Sequence, residues 1–194
     1  MLNRSTLALY LLLFILFISN IIFVSGIADQ AQYGPQICLL FLSNYHYDTN
    51  FNAFLFNAGS SACGASIAIG LISLFAGLVI TAAVTYYTLK QLEIPSRGYF
   101  MFALLSGFLA LLMLIMSSIV AAGIRQTCRE MEANASSSCS GIFNTGFFSN
   151  DPKTYYSKNL TTVNAAMGAG WVSMLSWILF GVFSYFQSKS TSWW

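Results

Sequence analysis

Residues 62–89 read ACGASIAIGLISLFAGLVITAAVTYYTL, 28 consecutive positions without an acid or a base. As a helix this stretch is about 42 Å long, whereas about 20 apolar residues cross the roughly 30 Å of hydrocarbon in a bilayer. It is a membrane span with residues to spare, and it is expected to tilt or to project beyond the membrane. Working outward, three more stretches qualify, at about 5–27, 98–124 and 163–187. No Asp, Glu, Lys, Arg or His lies between Arg4 and Asp29, Arg97 and Arg125, or Lys158 and Lys189. Span three shares the excess length of span two. The sequence predicts an all-α membrane protein, a four-helix transmembrane bundle forming one domain over 1–194, with long loops at about 28–61 and 125–162.

Composition agrees. The 194 residues include eight Lys and Arg and six Asp and Glu, so 7% are charged, against about 25% in a soluble domain. Hydrophobic residues make up 57%, and the mean hydropathy is +0.68. These values exclude a soluble enzyme, a disordered chain and a basic nucleic-acid binder.

The first span resembles a signal peptide in having Arg4, an apolar run and small residues at Ser25, Gly26 and Ala28. However, Leu7 to Val24 exceeds the usual apolar region of about 7–15 residues, so the segment is expected to stay as a helix.

Charge sets the expected orientation. The short link from Lys90 to Arg97 carries two cations and Glu93, Arg4 precedes span one, and Lys189 follows span four. The loop at 28–61 has no Lys or Arg. This positive-inside pattern places both termini in the cytosol. The second long loop weakens it, with Arg125, Arg129, Lys153 and Lys158 facing Glu130, Glu132 and Asp151. Cysteine usage supports the same orientation. Cys38, Cys63, Cys128 and Cys139 all fall on the side of the long loops, where disulfides persist. Cys38–Cys63 and Cys128–Cys139 are the simplest pairs, although four cysteines allow three connectivities. The sequons Asn134-Ala-Ser136 and Asn159-Leu-Thr161 lie on that side too, and both asparagines are candidate glycan acceptors. These features predict an integral membrane protein of the secretory pathway, most simply of the plasma membrane.

The first loop contains an apolar run, Gln36 to Leu42, suited to a strand or a buried turn. An aromatic, Asn-rich stretch follows: Asn44, Tyr45, His46, Tyr47, Asn50, Phe51, Asn52, Phe54 and Phe56. Such a stretch packs on itself, on the second loop, on headgroups, or on a partner. The second loop has turn signals at Ser136 to Gly141, Asn144-Thr-Gly146 and Asn150-Asp-Pro152, and it is expected to be irregular. Trp193 and Trp194 read as interface anchors.

Chemistry-bearing patterns are sparse. No charge sits in a span, which argues against a pump or a coupled transporter. There is no nucleotide loop, zinc-protease motif or Gly-x-Ser-x-Gly elbow. The single histidine, His46, reads as packed or solvated. Glu130 and Glu132 read as a solvated loop face. No catalytic residue, metal site or cofactor is expected.

The spans carry small residues at helix-packing intervals: Ser66-xxx-Gly70 and Ser73-xxx-Gly77 in span two, Ala103-xxx-Gly107 in span three, and Ala166-xxx-Gly170 in span four. Small residues let helix backbones approach in lipid. The plainer reading is packing within the bundle, and the functional one is a face that docks on another membrane protein.

Several stretches together resemble the transmembrane protein 179 family of four-span proteins. They are Cys38-Leu-Leu-Phe41, Ala62-Cys63, and Ser118-Ile-Val-Ala-Ala-Gly123 followed by Cys128 and Cys139. Trp171-Val-Ser-Met-Leu-Ser-Trp177 fits that family's Trp-x-Ser-x-Leu-x-Trp pattern. The resemblance covers roughly 36–187. The sequence ends soon after span four, where some members have a longer tail. It implies a four-helix integral membrane protein and supplies no enzymatic activity. The first loop lacks the Trp…Gly-Leu-Trp…Cys…Cys signature of claudins, and the second lacks the Cys-Cys-Gly of tetraspanins, so both families fit less well.

The leading functional expectation is a non-enzymatic accessory or structural subunit. It would dock on a larger integral membrane protein, such as an ion channel or receptor, with membrane lipid as its other partner and no nucleic acid. The alternative is a homo-oligomeric pore or small-solute conduit lined by Thr81, Thr85, Ser106, Ser117, Ser118, Ser173 and Ser176.

Overall fold

A computed structural model of the chain describes residues 4–31, 40, 43–48, 53–57, 61–134, 138–140, 147–148, 155–156 and 160–190. Four long helices dominate: α1 (Arg4–Ala31), α2 (Ser61–Leu89), α3 (Ser96–Asn134) and α4 (Leu160–Ser190). Each is long and apolar enough to cross a membrane. Each satisfies its backbone internally, as hydrocarbon requires.

The burial pattern explains how they assemble. On α2 the buried positions are Cys63, Ser66, Gly70, Ser73, Gly77, Ile80 and Val84. On α4 they include Val163, Ala166, Gly170, Ser173, Trp177, Phe180 and Ser184. On α1 they include Leu9, Leu13, Leu16, Asn20, Phe23 and Ile27. Intervals alternating between three and four residues keep one narrow stripe facing neighbouring helices. The opposite faces expose Phe14, Phe75, Phe108 and Phe186, each more than half accessible. Faces this apolar suit acyl chains, not water.

The chain divides into two compact units. The first comprises Met1–Phe23, Ile69–Ile115 and Gly168–Trp194, and the second Val24–Ala68 and Met116–Met167.

In the first unit, the α2–α3 link is a closed C-terminal cap. The Leu92 amide donates to the Tyr87 carbonyl at 3.0 Å and the Gln91 amide to that of Thr88 at 3.2 Å, with Gln91 at φ 52°. These are the paired bonds of a Schellman motif, which satisfy carbonyls the helix end would orphan. Pro95 immediately precedes α3, and its carbonyl accepts from the amides of Gly98 at 2.8 Å and Tyr99 at 3.2 Å.

In the second unit, α3 departs from its predicted end at 124. It runs to Asn134, 39 residues in all, or about 58 Å. Arg125, Cys128, Arg129, Glu130 and Glu132 are therefore helical, not part of a loop. The reason is visible in the burial: Thr127 and Met131 continue the buried stripe of Met113 and Val120 beyond the apolar segment. The regions between spans are also more ordered than expected. Strand β1 (Ser43–Asp48) pairs antiparallel with β2 (Ala53–Asn57), with an irregularity between Ser43 and His46. In the second region β3 (Phe147–Phe148) pairs with β4 (Tyr155–Tyr156). β2 lies against β3, which brings the two inter-span regions together. Two small hairpins thus accompany the four helices. Of the apolar run from Gln36 to Leu42, Leu40 is described, and it is buried in a turn. Trp193 and Trp194 lie outside the described residues.

Candidate functional site

Two features of the first unit stand out, a buried polar network and an apolar groove. The network joins three helices. The Trp177 indole on α4 donates to the Ser73 hydroxyl on α2 at 2.8 Å. The Ser173 hydroxyl, one turn earlier on α4, donates to Asn20 Oδ1 on α1 at 3.1 Å. Asn20 Nδ2 donates to the Leu16 carbonyl at 2.9 Å, and Tyr10 donates to Thr85 at 3.0 Å. Asn20, Ser73, Ser173 and Trp177 are fully buried. A buried amide or indole is tolerated in an apolar interior when its donors and acceptors are met. The Trp-x-Ser-x-Leu-x-Trp pattern thereby acquires a physical meaning: Ser173 and Trp177 are its inward polar links, while Leu175 is exposed. Asn20 was not singled out by sequence reasoning.

The groove lies between α3 and α4. It encloses about 690 Å³ and is lined by Phe100, Leu104, Gly107 and Leu111 on one side and Ile178, Gly181 and Tyr185 on the other. The helices approach closely at Gly181, where an added Cβ would stand 2.6 Å from Ser106 Oγ and 3.6 Å from the Ala103 carbonyl oxygen. At Gly107 an added Cβ would meet nothing within 4 Å.

The predicted packing residues divide accordingly. Ser66, Gly70, Ser73 and Gly77 are buried, and a Cβ on Gly77 would sit 3.1 Å from Leu16 Cδ2 of α1. In the second unit Ser66 Oγ is 3.9 Å from Met116 Sδ. These residues are used inside the chain, so the small-residue face of α2 is not free to dock. Ala103 is half-buried beside Gly181, whereas Gly107 is exposed and is not used in packing within the chain, contrary to the plainer reading of its interval. Ala166 and Gly170 are buried. Ala166 packs on α1 in the second unit, where a Cβ on Gly26 would fall 2.6 Å from its own Cβ and 3.1 Å from the Thr162 carbonyl oxygen.

The hydroxyls expected to line a pore are mostly bonded within the chain. Thr81, Ser106 and Ser176 donate to carbonyls of their own helices at Gly77, Ala103 and Val172, at 2.8, 2.9 and 2.8 Å. Thr85 and Ser173 belong to the network above. Ser117 is buried and meets no hydrogen-bond partner among the described residues, and Ser118 is exposed.

The second unit contains a covalent clamp. Cys128 on α3 is bonded to Cys139, with Cα atoms 5.1 Å apart. The Cys139 amide also donates to Glu132 Oε1 at 3.0 Å. Glu132 therefore holds the returning chain, a role its reading as a solvated face did not include. Cys63 is disulfide-bonded too, and its expected partner Cys38 lies outside the described residues. So do Asn159 and the side chain of Asn134. No cluster of three or more His, Cys, Asp or Glu occurs among the described residues.

Four apolar spans, inter-span hairpins and a disulfide define a four-helix integral membrane protein. The family model described as the transmembrane protein 179/179B claudin domain matches residues 2–193, and the chain belongs to that family. The match bears out the resemblance to the transmembrane protein 179 family and shows that this family's domain is itself claudin-like, although the first loop lacks the tryptophan signature of claudins. No curated protein matches the chain significantly.

Proposed function

We propose that the protein is a non-enzymatic accessory subunit. It docks on a larger integral membrane protein, such as an ion channel or receptor, through its paired hairpins. The observation that carries this reading is where the chain spends its contacts. The packing stripe of α2 is consumed within the chain, and β2 against β3 gathers the two inter-span regions. Their strands contain Tyr45, Tyr47, Phe54, Phe56, Phe147, Phe148, Tyr155 and Tyr156. Aromatic residues of this kind are enriched where proteins meet. The same reading puts both termini in the cytosol, the hairpins outside it, and glycans on Asn134 and Asn159, in the plasma membrane. The pore alternative is disfavoured because its hydroxyls are mostly engaged within the chain.

The test is extraction in mild detergent followed by native sizing and mass spectrometry. A stoichiometric larger membrane protein is expected, lost with a Tyr45→Ser/Tyr47→Ser variant and kept with Gly107→Leu. A band containing this chain alone, at multiples of 21.3 kDa plus glycans and detergent, overturns the reading and directs attention to flux assays.

A further inference from the structure

We propose that the α3–α4 groove is a binding site for an anionic phospholipid, with an acyl chain in the groove and the headgroup held by Arg97 and Lys189. The argument begins with helical intervals. On α3 the groove residues Phe100, Leu104, Gly107, Leu111 and Leu114 are spaced four and three apart. One step back along that stripe is Arg97. On α4 the stripe through Ile178, Gly181 and Tyr185 leads four residues on to Lys189. The Lys189 ammonium lies 5.9 Å from the centroid of the Tyr185 ring, which itself lines the groove.

These ends are adjacent. The Ser188 hydroxyl on α4 donates to the Ser96 carbonyl on α3 at 3.0 Å, so residues 97 and 189 flank one mouth. Lys90 and Glu93 lie in the neighbouring link, which leaves cations in excess of the single carboxylate among the described side chains there. Among the described residues a second recess of similar size, about 700 Å³ along Arg125, Cys128, Arg129, Glu132 and Ala133, also has two cations, but its lining is half polar and includes a carboxylate, so it lacks the apolar walls that an acyl chain needs. Gly107 keeps the floor open, and aliphatic and aromatic walls suit an acyl chain. A cation near the membrane surface attracts an anionic headgroup, and Arg presents a fork matched to phosphate. A transmembrane helix of a partner would fill the groove, but it is an anionic headgroup that matches the net positive charge at the groove's mouth.

The experiment uses the full chain in phosphatidylcholine vesicles containing a minor fraction of phosphatidylserine, with a photoactivatable acyl chain on one lipid or the other. The expected result is labelling concentrated at 100–114 and 174–186, with roughly tenfold preference for phosphatidylserine, or ~1.4 kcal/mol. Arg97→Gln/Lys189→Gln should remove the preference while leaving labelling in place. Gly107→Leu, which meets open space at its Cβ, should suppress labelling with either lipid. Equal labelling by both lipids in the unaltered chain overturns the proposal. So does labelling spread evenly over α1 and α2, or protection of the groove by a second copy or another protein. Tyr45→Ser/Tyr47→Ser leaves this readout unchanged, which separates the site from the accessory reading.

Discussion

Trp177 and Ser73 meet through a 2.8 Å hydrogen bond between two fully buried side chains that are 104 positions apart. Trp177 is the largest fully buried side chain described, and its ring also packs edge-on against Phe180 at 6.1 Å. The bond fixes the rotation of α4 against α2, because the indole N–H has one direction in which to donate. Interhelical hydrogen bonds in membranes average about 0.6 kcal/mol and reach about 1.7. A double-mutant cycle of Ser73→Ala and Trp177→Phe, read by reversible unfolding in mixed micelles, should give a coupling in that range. Additivity within about 0.3 kcal/mol would show the bond to be energetically idle.

Gly26 yields a prediction of contrast. A methyl group there would be forced against Ala166 at 2.6 Å and the Thr162 carbonyl at 3.1 Å. Backbone atoms cannot give way as a flexible side-chain tip can. Overpacking of this kind costs about 1–3 kcal/mol. At Gly168 the added methyl meets nothing within 4 Å, and alanine should help the helix by up to about 1 kcal/mol. Gly26→Ala should therefore lower the unfolding midpoint in detergent while Gly168→Ala raises it or leaves it unchanged. Equal effects of the two would contradict the close crossing.

The four spans were legible because hydropathy is a local property that lipid reads directly. The small residues Ser66, Gly70, Ser73 and Gly77 were legible as a packing stripe, although only contacts reveal that the stripe faces inward. Asn20 was not legible: one amide barely alters an apolar run, and its partner Ser173 lies 153 positions away. Gly26 was hidden by its setting, since Ser25, Gly26 and Ala28 imitate a cleavage site, whereas the contact with Ala166 is a matter of tertiary packing. The extension of α3 was missed because Arg125, Glu130 and Glu132 mark the end of the hydrocarbon, not the end of the helix. Thr127 and Met131 carried the periodic signal across that boundary. The hairpins were obscured by short strands and turn-rich flanks, and the contact of β2 with β3 joins regions far apart in sequence.

Gln91 is in a left-handed conformation at φ 52°, inside the bonds that close α2. For a residue with a Cβ this conformation costs roughly 1–2 kcal/mol, and glycine escapes the penalty. Gln91→Gly should therefore stabilise the chain by about 1 kcal/mol, and Gln91→Val should destabilise it because branching at Cβ tightens the clash. The comparison is best made as a shift in thermal midpoint between the three chains in one detergent. If the glycine variant is the least stable, the cap does not persist in the membrane-like environment.

The Cys128–Cys139 bond closes a short loop, with a sequence separation of 11. Loop-closure entropy for that length is worth about 3 kcal/mol. The bond is not the only tie, since the Cys139 amide donates to Glu132, and the two restraints hold the same segment to the end of α3. Cys128→Ser/Cys139→Ser should raise protease cleavage between 128 and 139, and adding Glu132→Ala should raise it further. Glu132→Ala with the disulfide intact should change it little, because the covalent bond already limits the loop. Maleimide should modify neither cysteine in the unaltered chain until a reductant is added. Modification without reductant would show that the clamp is open, and cleavage in the double serine variant no faster than in the unaltered chain would show that Glu132 alone holds the segment.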